Sequence, residues 1–217
     1  MTRRQVTAGV LASATVSGSA IAAGASDEGS LPLAVPRNAG GMPLMAALKL
    51  RHSTREYSEQ ALSEQSLSDL LWAAFGVNRS SGDRTAPYWR HVMVIDVYVA
   101  KSDGVWLYEP QAHALRRHLP DDIRGQTGLQ DFVAKAPVNL VYVAHGERMT
   151  DITLEERRLY ASVDTGFIGQ NVYLFCASEG LASVFRGAVD YQKLHRLLRL
   201  PEEQFVTFAQ TVGYPHA

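Results

Sequence analysis

Residues 154–180 read LEERRLYASVDTGFIGQNVYLFCASEG and contain no proline. Tyr160, Val163, Phe167, Leu174 and Ser178 recur there at steps of three, four and seven, the spacing of one helix face. Ile168, Val172 and Phe175 fall off that stripe, so the helix is apolar nearly all round, which predicts burial on most sides. Two glycines, Gly166 and Gly169, sit in its interior, each costing about 1 kcal/mol against alanine. Such a helix calls for close approach by another backbone, a flat ligand or a tightly packed neighbour. Any fold for this chain has to be assembled around it.

The remaining pattern supplies the layers. VMVIDVYVA (92–100) and VNLVYVA (138–144) are β-branched and mostly apolar, as buried strands are. Val105–Tyr108 and Ala114–Leu119 form a hairpin or meander around Glu109-Pro110, and Phe205–Gly213 is a last strand. A short helix is expected over Met42–Leu50 behind Pro43. Another spans Ser63–Asn78, with Leu67, Leu70, Leu71, Ala74 and Phe75 on one face, a capping signal at Ser66-x-x-Asp69 and an exit at Gly76 and Asn78. A third covers Asp190–Leu200. Helices and strands that do not alternate regularly predict an α+β layer fold rather than a doubly wound sheet. No G-x-G-x-x-G follows a strand and no G-x-S-x-G elbow occurs, which argues against a dinucleotide fold and a serine hydrolase.

Composition removes other classes. Apolar residues make up 46% and the net charge is −1, which excludes disordered and collagen-like chains. With 21 basic residues against 22 acidic ones and no basic run, nucleic-acid binding is not indicated. The single cysteine, Cys176, excludes an internal disulfide framework and a cysteine-rich zinc site, and reads as a small core residue. His113 and His118 lack further ligands, so no metal site is expected, and Glu155–Arg158 reads as a solvated helix face. Residues 5–25 carry no charge, are rich in small side chains and follow Arg3-Arg4. This is the layout of a bacterial export signal of the twin-arginine type, with Ala20-Ile21-Ala22 and Ala23-Gly24-Ala25 as cleavage options. A membrane anchor is the alternative, disfavoured because Ala, Gly, Ser and Thr insert poorly. The expected organisation is a leader over 1–25, an irregular arm over 26–42 and one domain over 43–217, in a protein that is periplasmic or otherwise exported.

Chemistry concentrates in Arg51-His52-Ser53-Thr54-Arg55. On a helix end, Arg51 and Arg55 would share one side, and two guanidiniums with a hydroxyl form an oxoanion grip. The same residues also suit a solvated basic helix end at the C-terminal dipole.

A resemblance weights the choice. RHSTREYSEQALSEQSLSDLLWAAFGVNR resembles the opening motif of the nitroreductase family, Arg-Arg-Ser-x-Arg followed by a Leu-rich helix ending Trp-Ala-Ala-x-Gly. IDVYV with GVWLYEPQAHAL is similar to the SagB-type dehydrogenase subgroup, and His113 falls within that subgroup's Pro-x-x-His-x-Leu. DTGFIGQNVYLFCASEGLASV resembles the family's central helix, and LLRLPEEQ and VGYP its closing pieces, so the likeness spans about 43–215. It implies a mixed or antiparallel central sheet flanked by helices, a buried central helix, and a homodimer with FMN at the subunit interface. By position, Arg51 and Ser53 would hold the phosphate and ribityl end, and Arg55 the pyrimidine edge, where a cation stabilises the reduced form. His52 stands for a usual second arginine. The backbone of Arg186-Gly187 would meet N5, and Gln170-Asn171 would touch flavin or tie helix to strand.

Two departures stand out. The family has Arg-Thr-Ala-Pro-Ser-Ala-x-Asn where this chain has Arg84-Thr85-Ala86-Pro87-Tyr88-Trp89-Arg90-His91, so Tyr88, Trp89 and His91 replace small polar residues that contact the flavin. The loop is then reshaped for a flat aromatic substrate, fills the site against FMN, or lies elsewhere. After Gly-Tyr-Pro only His216 and Ala217 follow, without the Lys or Arg that relatives offer the phosphate. The resemblance implies an FMN-dependent oxidoreductase working by a ping-pong mechanism, from NAD(P)H or another donor to a nitroaromatic, quinone or similar flat acceptor. The alternatives are a SagB-type azoline dehydrogenase and a non-catalytic flavin- or small-molecule-binding protein.

Overall fold

The computed structural model describes residues 29–216; the leader expected over 1–25 lies outside them. Seven strands form one antiparallel sheet: β1 (Ser30–Pro32), β2 (Ile95–Lys101), β3 (Gly104–Glu109), β4 (Ala114–Leu119), β5 (Val138–His145), β6 (Ala182–Arg186) and β7 (Gln204–Gly213). Their order is β1-β4-β3-β2-β5-β7-β6. Five helices accompany them: α1 (Leu44–Leu50), α2 (Glu64–Phe75), α3 (Phe132–Lys135), α4 (Leu154–Glu179) and α5 (Tyr191–Leu197). The α+β expectation holds.

Strand alternation separates two cores. Val97, Val99, Leu140 and Tyr142 face α2 and α4, meeting Leu70, Leu71, Ile168 and Val172. Tyr98, Ala100, Val141 and Val143 face the opposite side, where α5 contributes Leu194. Thr153 opens α4 with a reciprocal capping box to Glu156, and Gly180 closes it at φ 69°, a left-handed backbone that glycine adopts without steric cost. Polar groups pin α4 to β7: Thr165 and Thr207 share a hydrogen bond of 2.8 Å, and Gln210 Nε2 donates to the Gly169 carbonyl at 3.2 Å.

The outer face of α4 differs from expectation. Its buried residues are Ala161, Asp164, Thr165, Ile168, Gly169, Val172 and Cys176. Tyr160, Val163 and Phe167, from the apolar stripe, are exposed in the single chain. Small and polar residues face inward because the helix lies close over the sheet: a Cβ on Gly169 would come within 2.5 Å of the Phe185 ring. Other differences are local. The arm contains β1, paired with β4 from Ser30↔Arg116 to Pro32↔Ala114. Ser63, not Ser66, caps α2, and Asp69 instead binds Arg37 at 2.7 Å. β6 directly follows α4, where no strand was expected.

Candidate functional site

α1 closes at Leu50, and Arg51 N–H donates back to the Ala47 carbonyl at 2.8 Å. The chain then leaves helical geometry, so Arg51 and Arg55 do not share a helix side as the spacing suggested. It runs beside β6, an outer strand of the sheet, where Thr54 N–H donates to the Ser183 carbonyl at 2.9 Å. Arg51 and Ser53 meet instead on Tyr173 of α4. The Arg51 guanidinium lies 5.2 Å from its ring centroid, and Ser53 Oγ and the Tyr173 hydroxyl share a hydrogen bond of 2.8 Å. That hydroxyl also accepts from the Phe185 N–H at 2.8 Å, which ties the segment to β6. His52 and Arg55 are exposed, and His52 Nδ1 lies 2.7 Å from the Leu50 carbonyl. Neither Arg51 nor Arg55 has a carboxylate partner among the described residues. The chain end lies against the same stretch: Pro215 bridges to Tyr57, and Ser58 N–H donates to the Tyr214 carbonyl.

β6 ends at Arg186, whose side chain turns into the protein. Its Nε donates to Thr211 Oγ1 at 2.9 Å, Nη1 to the Thr127 carbonyl at 3.0 Å and Nη2 to Asn139 Oδ1 at 3.1 Å. Burial lowers its pKa to about 10, so it stays charged at neutral pH. Gly187 is exposed, and its carbonyl accepts from the Tyr191 hydroxyl at 3.0 Å. Beside it opens a hollow of about 800 Å³ walled in part by Ser162, Tyr191 and Phe208.

Pro87, Tyr88, Trp89 and His91 lie elsewhere. Trp89 N–H donates to Asp164 Oδ2 at 2.9 Å, and its ring lies 6.2 Å from that of Tyr160. The Arg90 guanidinium sits 4.8 Å from the Trp89 ring. Tyr88 donates its hydroxyl to Asp83 and sets its ring edge-on to Phe75 at 6.1 Å. Both aromatic residues therefore already have partners within the chain. Arg90 and His91 hold positive φ of 46° and 58°, a costly pair for non-glycine residues. Burial raises the pKa of Asp164 to about 6 against the Trp89 hydrogen bond. Asp164 and Tyr173 are 173 − 164 = 9 residues apart on α4, or about 13 Å at 1.5 Å per residue. One chain thus ties 51–54 to β6 at Ser183 and, through Tyr173, at Phe185, and leaves 87–91 farther back along α4.

Other sequence candidates have structural roles. His113 bridges Ser68 Oγ (2.7 Å) and the Tyr108 hydroxyl (3.0 Å). His118 Nε2 lies 2.7 Å from the Leu198 carbonyl. Asn171 Nδ2 reaches the Ala74 carbonyl at 3.5 Å, tying α4 to α2, while Gln170 is exposed. Cys176 is buried and its thiol is pushed up to about 12, so little reactive thiolate forms. Tyr173 and Asp164, which organise the two parts of the site, were not among the expected site residues, although Asp164 opens the central-helix motif. Their roles depend on an unforeseen strand and on the fold of a distant loop.

Comparison with known proteins places these features in a family. The sequence profile described as Nitroreductase family matches residues 48–214. A candidate nitroreductase of Methanocaldococcus jannaschii is 32% identical over 162 residues, covering 70% of this chain and 82% of its own. The crystal structure of a candidate nitroreductase from Ralstonia eutropha JMP134 superposes with a TM-score of 0.83 at 42% identity, covering 87% of this chain and 90% of that one. An NADPH:FMN oxidoreductase of Vibrio harveyi, solved with NAD+, shares the fold at a TM-score of 0.61 and 19% identity, over 80% of this chain and 69% of that one.

Proposed function

This chain belongs to the nitroreductase family, and on that premise we propose that it is an FMN-dependent oxidoreductase whose site is completed by a second copy of itself. The observation that carries the reading is the 51–55 segment. Arg51 and the Ser53 hydroxyl meet on Tyr173, whose hydroxyl takes the Phe185 N–H of β6, and Arg55 is exposed in the same segment; neither guanidinium has a carboxylate partner among the described residues. These residues fit an anionic flavin nucleotide: the cations suit a phosphate and an electron-rich pyrimidine edge, and exposed Gly187 leaves the strand end open to a flat ring. Arg51 and Ser53 would hold the phosphate and ribityl end, Arg55 the pyrimidine edge, and the backbone of 186–187 the region of N5. FMN, when bound, supplies two-electron chemistry between a reduced donor and an acceptor in a ping-pong cycle. The chain's part is to hold it, place charge beside it and exclude water. NAD(P)H is a reasonable donor, and flat nitroaromatics or quinones are reasonable acceptors.

The second copy is supported by α4. Leu159, Tyr160, Val163 and Phe167 expose 57%, 37%, 44% and 45% of their surface, and Leu44, Met45 and Leu48 of α1 add to this apolar face. Among the described residues, nothing beyond its own helix turn lies within 4 Å of a Cβ on Gly166. Antiparallel pairing of two α4 helices about a twofold axis that crosses midway between Asp164 and Tyr173 would set the Asp164 end of one beside the Tyr173 end of the other. The partner's 87–91 loop would then approach the grip that its own chain does not reach. The leader-like residues 1–25 support export by the twin-arginine route, which carries folded, cofactor-loaded cargo.

Gentle purification tests the core of the reading. The expected product is a yellow dimer with one FMN per chain. A colourless single subunit that ignores added FMN would overturn it. Arg51→Ala should weaken FMN binding about 10- to 100-fold, and Arg55→Ala should lower the midpoint potential of the bound flavin. Cell fractionation with N-terminal sequencing tests export, and a cytoplasmic protein retaining residues 1–25 would refute it.

A further inference from the structure

Arg84 is a second buried guanidinium, and its surroundings differ from those of Arg186. It is 3% exposed. Its Nη2 donates to the Met93 thioether at 3.0 Å, a weak acceptor. Its Nε and Nη1 are buried and find no acceptor among the described residues. The guanidinium carbon lies 5.6 Å from the Phe75 ring centroid. Arg186, by contrast, gives all three nitrogens to oxygen acceptors.

Arg84 also forms part of the wall of a cavity of about 380 Å³ at the edge of β2 and β3. Phe75, Met93 and Tyr108 supply apolar surface there, and Asp96 and Glu109 supply the two carboxylates. Both carboxylates are already engaged: Asp96 Oδ2 lies 2.8 Å from His145 Nε2, and Glu109 Oε1 is 2.7 Å from Arg116 Nε. Arg84 therefore makes no ion pair within 4 Å among the described residues, and Asp96 and Asp83 act on it only from farther off. A guanidinium cannot shed its proton at neutral pH, and a buried charge without a counter-charge costs several kcal/mol. Burial does lower the Arg84 pKa, with Tyr108, Tyr88, Asp83 and Asp96 acting against it.

We propose that this cavity is a binding site for a small organic monocarboxylate, with Arg84 as its cationic anchor and Phe75 and Tyr108 flanking the apolar body. The volume lies in the lower part of the range for small-molecule pockets, about 300–1,000 Å³. An inorganic anion would satisfy Arg84 but leave the apolar wall wet, so the lining favours a carboxylate that carries a ring or short chain. The cavity shares no lining residue with the 51–55 segment or the end of β6, and the inference does not rest on bound flavin.

Calorimetric titration of the protein as purified, with benzoate and with its neutral isostere benzamide, tests the charge requirement. Benzoate should bind at least about tenfold more tightly than benzamide. Arg84→Met should erase that preference. Crystals soaked in 4-bromobenzoate should place the bromine signal within the cavity, with the carboxylate against Arg84. Equal binding of the two probes, no binding of benzoate by about 20 mM, or bromine found only elsewhere would each overturn the proposal. If Arg84→Met does not fold, the probe ratio and the bromine position in the wild-type protein still decide it.

Discussion

Gly166 and Gly169 lie three residues apart on one helix, and the same substitution at each should act in opposite directions. An ideal Cβ on Gly169 would sit 2.5 and 2.6 Å from two ring carbons of Phe185 and 3.2 Å from Gln210 Oε1. Neither neighbour yields easily. The Phe185 ring is held between Tyr142 at 6.0 Å and Phe208 at 4.8 Å. Gln210 accepts from the Tyr142 hydroxyl at 2.8 Å and donates to Ser183 Oγ at 3.0 Å. Overpacking of this kind costs about 1–3 kcal/mol, against a gain of about 1 kcal/mol from replacing a helix-interior glycine. Because neither neighbour yields, the cost falls in the upper part of that range, and Gly169→Ala should lose a net of about 1–2 kcal/mol, or about 3–6 °C in Tm for a domain of this size. Gly166→Ala meets no atom beyond its own helix turn within 4 Å among the described residues and should gain up to about 1 kcal/mol in the subunit.

Urea unfolding followed by far-ultraviolet circular dichroism, at matched protein concentrations, gives both values. Phe185→Leu in the Gly169→Ala background should recover part of the loss, because the coupling passes through that ring. A Gly169→Ala protein as stable as the wild type would refute the claim that α4 needs glycine to approach β6 and β7. A loss at Gly166 in the dimer would mean that the second copy's atoms come close at that point.

Three further outcomes follow. Asp164 has a folded pKa of about 6, raised by burial above the ordinary carboxylate value, so its favourable contribution is complete below about pH 4 and lost as pH rises through 6. Asp164→Asn should therefore gain on the wild type between pH 4 and 7, by on the order of 2 kcal/mol, and a pH-independent difference in urea midpoints would contradict this. Burial disfavours the His145 imidazolium, but Asp96 at 2.8 Å and Glu147 at 2.7 Å outweigh it and raise its pKa. Its contribution is present below pH 6.5 and lost as pH rises through the folded value, so His145→Gln should cost more stability at pH 6 than at pH 9 in the same unfolding assay. Phe167→Asp places a charge on the exposed apolar face of α4 and should shift the protein from dimer to monomer in analytical ultracentrifugation, with loss of bound FMN although no cation is touched.

The strongly patterned elements were legible in the sequence. β2 and β5 are runs of β-branched residues, and α4 is a long stretch without a breaker that begins at Thr153 and ends at Gly180. β1 and β6 were hidden because three and five residues, one run containing proline and the other continuing the apolar tail of α4, carry no periodicity of their own. The buried side of α4 was misread for a physical reason. Hydrophobicity marks Tyr160, Val163 and Phe167 as inward, but the inward side is taken by Ile168 and Val172 and, where the sheet comes closest, by Gly169 and the hydrogen-bonded Thr165. The 51–55 cluster was visible as a set of residue types, yet its geometry depends on the end of α1, the edge of β6 and the hydroxyl of Tyr173. Arg84 stood in the quoted loop motif with no sign that its partners would be missing.

The two faces of α4 explain why one helix can serve both the subunit and the assembly. The inward face is committed: its hydrogen bonds to Thr207 and Gln210 and its contact with Phe185 fix the helix axially against β6 and β7. That fixation sets where Tyr173 meets Ser53 and where Asp164 meets Trp89, so the spacing between grip and loop is a property of the core. The outward face carries the apolar groups that the core did not use, Leu159 to Phe167, which start one turn before Asp164 and extend toward Tyr173. A second chain covering that face would therefore both remove the exposed apolar surface and bring the separated halves of the site together. If the proposed dimer and flavin site hold, stability, association and cofactor binding would respond to the same helix by different residues: Gly169 to the first, Phe167 to the second, Tyr173 to the third.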